Sequence, residues 1–499
     1  MLTNIKHPAA QGMHSEDLST TCPNEMTSTT LAAPRASARP SLSAEMLARF
    51  DVSGPRYTSY PTADRFVEAF GPADYSGAAR QRRLGMNASK TPISLYVHIP
   101  FCASLCYYCA CNKIITRHAS RGREYLRYLE KETALHVAQL GAHTPVSQLH
   151  LGGGTPTFLS DDELTELMRM LRDAFSFAPD GEYSIEIDPR TVDAGRLAHL
   201  ARLGFNRLSF GVQDFDPDVQ QAVHRIQPAQ QVFDLVASAR ALQFQSINVD
   251  LIYGLPRQTS ASFDRTLKQI CELRPDRIAL YAYAHLPERF KPQRRIAASE
   301  LPYAATKVEM LSRSIAALTA AGYVYIGMDH FALPDDELAQ AQDHGTLQRN
   351  FQGYSTHGAC DMIGLGVSAI GRVGDAFTQN AKDLVGYYAA LDAGRLPVAR
   401  GLRLSEDDHI RADLIQRIMC NGVVDIAAFE ARHPIDFSVY FAPELRELRR
   451  LAADGLVVVT PARIAATSRG RLLLRIIAMC FDAYLANPGA SAAKYSKAL

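Results

Sequence analysis

The sequence predicts an α/β protein built on a parallel sheet, curled into a barrel or a part of one. From residue 92 onward, short β-rich runs alternate with amphipathic stretches of period 3.6, and six such strand-helix units follow in series. The polar and glycine-rich motifs fall at the carboxyl ends of the predicted strands, where barrels collect functional groups. A doubly wound open sheet is the competing arrangement.

The predicted strands cover residues 93–99, 148–151, 183–187, 207–212, 247–253 and 277–283. Between them, Leu164, Leu167, Met168, Leu171 and Phe175 form one helical stripe behind the capping box Ser160-x-x-Glu163. The stripe recurs at Val232, Leu235, Val236, Ala239 and Leu242, and at Val308, Leu311, Ile315 and Leu318. From about residue 375 the pattern turns to helices without parallel strands. An amphipathic helix over 405–420 carries Ile410, Leu414, Ile415 and Ile418, and a second over 443–453 stops at Gly455. A hairpin over 456–467 and a last helix over 470–485 complete a winged-helix-like order. The expected segments are therefore 1–52, a disordered extension; 53–91, an N-terminal strap; 92–374, the barrel with its loops; and 375–499, a mostly helical domain.

Composition narrows the function classes. With 47% hydrophobic and 21% charged residues in 499, the chain is ordinary for a soluble globular protein. Its 53 Lys and Arg against 52 Asp and Glu give no global field for nucleic acid or an anionic membrane. The winged-helix-like tail lacks a dense basic stripe, which argues against a DNA reader. No window approaches the run of about 18 apolar residues that a membrane span requires. The first fifty residues lack an apolar signal core. Nine cysteines, four crowded into one loop and the rest scattered, point to a reducing, cytoplasmic compartment and not to a disulfide framework.

That loop, Cys102-Ala-Ser-Leu-Cys106-Tyr-Tyr-Cys109-Ala-Cys111, follows the first strand. Thiolates at Cys-x3-Cys-x2-Cys spacing can wrap one face of a cubane iron-sulfur cluster and leave its fourth iron open. Zinc would need Cys111 or a distant His as a fourth ligand. After the second strand comes Gly152-Gly-Gly-Thr155-Pro156, whose glycines let backbone approach a ligand and whose amides can bond it. Alternation points Glu186 toward the lumen, where a carboxylate needs a partner. Asp250 sits between apolar neighbours, where an unpaired charge is costly. Gln213 and Arg225 are the polar candidates after the fourth strand, and His285 reads as a hydrogen-bonded structural histidine.

The cysteine spacing after a strand resembles that of the radical S-adenosylmethionine (SAM) enzymes. The continuation Cys109-Ala-Cys111-Asn112-Lys113 narrows the resemblance to the oxygen-independent coproporphyrinogen III oxidase family, from about Arg56 to the C-terminus. The resemblance implies a partial (β/α)6 TIM-like radical SAM barrel. It implies a 4Fe-4S cluster on Cys102, Cys106 and Cys109, and SAM cleaved by one electron to methionine and a 5′-deoxyadenosyl radical. Carried over residue by residue, Tyr96, Gly153, Glu186, Ala284 and Ile370 match contacts to a first SAM. Tyr108, Gly154, Thr155, Gln213, Arg225 and Asp250 match contacts to a second. Cys111 matches a cysteine tied to activity but not to the cluster, and with Glu186 it is the catalytic candidate. A Tyr at 108 stands where a Phe is common.

The implied reaction turns two propionates of coproporphyrinogen III into vinyl groups, giving protoporphyrinogen IX. Its implied partners are that substrate and a low-potential donor such as flavodoxin or ferredoxin, with the chain acting as a monomer. Arg289, Lys291, Arg294 and Arg295 are the expected propionate partners. A heme chaperone of the same lineage typically lacks both the fourth cysteine and the segment Arg56 to Thr62, and both are present here. An iron-sulfur redox regulator would use the tail on DNA.

Overall fold

The computed structural model describes residues 44–50, 52–85, 91–358, 360–485 and 495. Six strands carry the predicted units: β1 (Ile93–Ile99), β2 (Pro145–Gly153), β3 (Ser176–Ile187), β4 (Arg207–Gln213), β5 (Ser246–Tyr253) and β6 (Arg277–Ala282). Each is parallel to the next, in chain order. A doubly wound sheet reverses its strand order at a switch point. These strands do not, so the sheet winds one way into a partial barrel with open edges.

The sheet is wider than the sequence predicts. Asp361–Leu365 adds in parallel beside β1, and antiparallel Ile370–Val373, Ala376–Asn380 and Val398–Arg403 continue outward from it. Beyond β6, His330–Ala332 and Val324–Gly327 pair antiparallel, for 12 strands in all. The last two strands on the β1 side lie past residue 374, so the sheet extends beyond the boundary expected there. Within the barrel's loops, Gln348–Asn350 and Gly353–Ser355 pair as a hairpin.

Period-two alternation explains why one face is apolar and the other chemical. Ile93, Leu95, Val97, Leu149, Leu151, Ile185, Phe210, Ile247, Val249 and Leu251 are buried in the core with the helical stripes. The alternate positions form a polar belt: Ser94 Oγ donates to Gln148 Oε1 at 2.9 Å, His150 Nδ1 meets Ser184 Oγ at 2.6 Å, and Asn248 Nδ2 donates to Ser209 Oγ at 2.9 Å. The helix Asp161–Ala174 begins with the predicted capping box, Glu163 N–H donating to Ser160 Oγ at 3.2 Å and Ser160 N–H to Glu163 Oε2 at 2.8 Å.

A second core holds Ile410, Leu414, Ile418, Phe429, Phe437, Phe441 and Phe481. It lies among the helices Glu406–Asn421, Ile426–Glu430, Phe437–Tyr440 and Ala442–Ala453. Beside them is a small sheet with Arg463–Ala466 between Val423–Asp425 and Val457–Val459. The expected last helix is shorter, a 3-10 turn Gly470–Leu473 followed by Leu474–Met479. Ala44–Phe50, assigned to the extension by sequence, is a helix that buries Phe50 in this second core. Residues 1–43 and 51 of that expected extension lie outside the described residues.

The strap is tied to the C-terminal region. Arg475 donates to the carbonyls of Gly54 and, at 3.0 Å, Pro55. Tyr57 Oη donates to Asp482 Oδ2 at 2.9 Å, and Ala483 N–H donates to Tyr60 Oη at 3.1 Å. Among the described residues no helix is long and apolar enough to cross a membrane.

Candidate active site

The cysteine loop leaves β1 and is held on both sides. Ile114 N–H donates to Pro100 O at 2.7 Å, Thr116 N–H to Cys102 O at 3.0 Å, and Tyr107 N–H to Val223 O at 3.0 Å. Lys113 Nζ donates to Cys109 O at 2.9 Å. Cys102 and Cys106 are buried, Cys109 is half-buried and Cys111 is exposed. Donors aim at the sulfurs: Thr155 Oγ1 at Cys102 Sγ (3.5 Å), and Arg225 Nη1 (3.5 Å) and Arg190 Nη2 (3.6 Å) at Cys106 Sγ. The hydrogen bond from Cys111 outweighs burial and, with Lys113, brings the Cys109 thiol down to about 6.

Two arginines and a hydroxyl pointed at thiols suit thiolates that ligate a cluster, whose sulfurs accept such bonds. Among the described residues no three His, Cys, Asp or Glu converge on one metal ion, as a zinc site demands. A cubane instead spreads its thiolates over separate irons. The donors aimed at Cys102 and Cys106 and the lowered Cys109 thiol fit these three as ligands of the cluster.

The glycine turn closes against this loop. Gly154 N–H donates to Ile99 O at 2.8 Å and Thr155 N–H to Phe101 O at 2.9 Å. A Cβ on Gly154 would stand 2.8 Å from backbone atoms of Pro100 and Phe101, and one on Gly153, at φ +115°, would stand 2.6 Å from the His98 ring. The amides that sequence reasoning offered to a ligand are engaged within the protein: Gly153 N–H donates to Glu186 Oε2 at 3.0 Å. The glycines here serve close approach.

Glu186 also lies 3.3 Å from His150 Nε2, and Tyr96 stacks on His150 with ring centres 5.9 Å apart. Burial pushes the Glu186 carboxyl up, but His150 and the Gly153 amide outweigh it and hold it below the usual range. Its side chain keeps 41% exposure, because it faces the open lumen. Asp250 accepts from Asn248 Nδ2 at 2.9 Å and Ser209 Oγ at 3.2 Å, and burial, with Glu186 nearby, lifts it to about 6. Arg225 also pairs with Asp188 Oδ2 at 3.2 Å, and Arg190 with the same atom at 2.6 Å. Gln213 ends β4 in the left-handed region, at φ 70°.

Tyr108 packs with Val223, Tyr283 and Ile296, an apolar wall beside the cysteine loop. Gln293 Nε2 donates to both Tyr108 O (3.0 Å) and Ala284 O (3.1 Å), joining the loop to the segment after β6. Ile370 packs against the cluster of Phe66, Phe377 and Leu404, and its backbone lies against Gly364, the register partner of Tyr96. Sequence reasoning missed His98, His150, Arg190 and Gln293. The alternation applied to Glu186 reaches His98 and His150 as well. Nothing local marks Gln293.

The chain matches the sequence profile of the Radical SAM superfamily over residues 96–270 and of the HemN C-terminal domain over 404–473. The oxygen-independent coproporphyrinogen III oxidase of Pseudomonas aeruginosa is 52% identical over 458 residues, 91% of this chain and 98% of that one. Its Escherichia coli counterpart is 49% identical over 440 residues, 88% of this chain and 95% of that one. The solved structure of coproporphyrinogen III oxidase (HemN) from Escherichia coli, described as a radical SAM enzyme, superposes with a TM-score of 0.82 at 48% identity. It covers 87% of this chain and 100% of that one. Radical SAM membership implies a 4Fe-4S cluster and SAM, and the cysteine loop fits that requirement. The chain belongs to the oxygen-independent coproporphyrinogen III oxidase family, radical SAM oxidoreductases of heme biosynthesis.

Proposed function

We propose that this chain catalyses oxygen-independent oxidative decarboxylation of two propionates of coproporphyrinogen III to vinyl groups, yielding protoporphyrinogen IX. The observation that carries the reading is identity of 52% across 98% of the length of a relative named for this activity. Cys102, Cys106 and Cys109 would hold the cluster, and two SAM molecules would bind per chain. When bound, cluster and SAM supply a carbon radical that takes hydrogen from an unactivated carbon, which no acid or base side chain does. Each propionate then loses one hydrogen atom, one electron and carbon dioxide, so an electron acceptor is required.

The chain's own residues bind and shield. Glu186 offers a carboxylate to the ammonium of the first SAM, with Tyr96, Gly153, Ala284 and Ile370 completing that site. Tyr108, Gly154, Thr155, Gln213, Arg225 and Asp250 complete the second. Arg225 and Arg190 place positive charge against Cys106. The apolar wall of Tyr108, Val223 and Tyr283 beside the cysteine loop would shield bound SAM from water. Arg289, Lys291, Arg294 and Arg295 would receive propionates at the mouth.

The need for single low-potential electrons supports a flavodoxin or ferredoxin as donor. The eight cysteines among the described residues are free thiols, which supports a cytoplasmic location. Anaerobic incubation of reconstituted protein with SAM, a reductant and coproporphyrinogen III should give a product lighter by two decarboxylations. Methionine release without decarboxylated porphyrin would reject this substrate.

A further inference from the structure

A chain of rings and cations lies where β6, the strand His330–Ala332 and the hairpin 348–355 meet. Arg56 Cζ sits 5.5 Å from the Tyr281 ring centre, Tyr281 meets His330 edge-on at 5.9 Å, and His330 meets Tyr354 edge-on at 5.1 Å. Tyr354 carries Arg349 Cζ at 4.7 Å. Arg56 is paired with Asp329, and Arg475, a third buried guanidinium, is committed to the strap carbonyls.

Arg349 is different. It is 5% exposed, yet its Nε and Nη1 are buried without a hydrogen-bond partner, and so is His330 Nδ1. The Tyr354 ring attracts the cation but supplies no oxygen acceptor to Nε and Nη1. A buried cation with open donors is costly to keep. One carboxylate, Asp329, cannot balance the cluster. Burial, with Arg349 and Arg56 nearby, holds His330 well below the usual imidazole range.

The cluster belongs to the lumen. Tyr281 alternates with the core residues Ile278 and Leu280, so it shares the face of Ala279, whose register partners are Asp250 on one side and His330 on the other. We propose that Arg349, with His330 beside it and Arg56 behind it, is the docking point for a carboxylate of the substrate, a propionate of the porphyrinogen. This rests on the function proposed above. The carboxylate of SAM has the same chemistry, but the glycine turn and Glu186 gather against the cysteine loop, whereas Arg349 stands on the hairpin against β6 and its neighbour.

The test uses cluster-loaded, anaerobic protein and the variants R349M and R349K. Binding of coproporphyrin III and of its tetramethyl ester is followed by fluorescence, SAM binding by calorimetry, and thermal midpoint and cluster absorbance are recorded. R349M should weaken coproporphyrin III by about ten- to a hundred-fold. It should leave ester and SAM binding unchanged and keep the cluster. Its thermal midpoint should stay level or rise, because a stranded buried charge is gone. R349K should recover part of the affinity. Unchanged coproporphyrin III binding overturns the proposal, as does a lowered midpoint with cluster loss, which marks a structural arginine, or weakened SAM binding, which assigns the carboxylate to the cofactor. If the wild type makes protoporphyrinogen IX and R349M does so at the same KM, this inference fails and the proposed function stands. If the wild type gives no product but R349M still loses coproporphyrin III affinity, the docking point stands and the proposed reaction falls.

Discussion

Gly153 and Glu186 are joined across the ends of β2 and β3, the glycine amide donating to Oε2 at 3.0 Å. The bond fixes one carboxylate oxygen and leaves the charge facing the lumen. E186Q keeps an acceptor for the amide but removes the charge, so it should bind SAM about ten-fold or more weakly while retaining the cluster. Anaerobic calorimetry checks the first part and cluster absorbance the second. Equal SAM affinity in E186Q and wild type would remove Glu186 from the ammonium site.

Gly154 is pressed against backbone, which cannot yield as a side-chain tip does. A Cβ there stands 2.8 Å from Pro100 and Phe101 atoms at the mouth of the cysteine loop. G154A should cost roughly 1–3 kcal/mol and, by shifting that loop, impair cluster retention. Iron content per chain after reconstitution and the denaturant midpoint measure both effects.

Asp250 offers a pH signature. Burial first, then Glu186, lifts it to about 6, so it gains its charge as pH rises through that value. If it receives the positive group of the second SAM, affinity for that SAM should strengthen from pH 5 to 7 in the wild type. D250N should show a flat profile. Parallel profiles for the two proteins would exclude Asp250 from that contact.

Glu132 reports on stability. It is fully buried, accepting from Gly366 N–H at 2.7 Å, Asn380 Nδ2 at 2.6 Å and Tyr387 Oη at 2.6 Å. Burial nevertheless lifts it from 4.5 to about 7. Between those values the folded state binds more protons than the unfolded one, so stability contributed by this group falls as pH rises through the window. The loss is about 3 kcal/mol. E132Q carries no such proton. Denaturant midpoints at pH 5 and 7.5 should therefore drop more steeply in the wild type than in E132Q.

The periodicities of this chain are local, and local patterns were enough for its main elements. Alternation within β1 to β6, the stripe closed by Ser160 and Glu163, and the spacing of Cys102, Cys106 and Cys109 each lie within a few residues. Lumen-facing Glu186 and Asp250 follow from the same alternation. The antiparallel strands Ala376–Asn380 and Val398–Arg403 did not read as part of the sheet, because a strand's place in a sheet depends on its partner. Arg56 and Asp329 are 273 positions apart, and Gln293 bonds a carbonyl 185 positions away. No repeat in the sequence records such distances.

What the sequence by itself determined, then, is the strand and helix order and the identity of the groups at the strand ends, since backbone period and side-chain chemistry are properties of neighbours. Only the tertiary structure decided which groups have partners. It engaged the Gly153 amide with Glu186, tied Tyr108 to Ala284 through Gln293, and left Arg349 buried with open donors. Hydrogen-bond satisfaction is set by which distant segments the fold brings within about 3 Å, and that depends on the path of the whole chain.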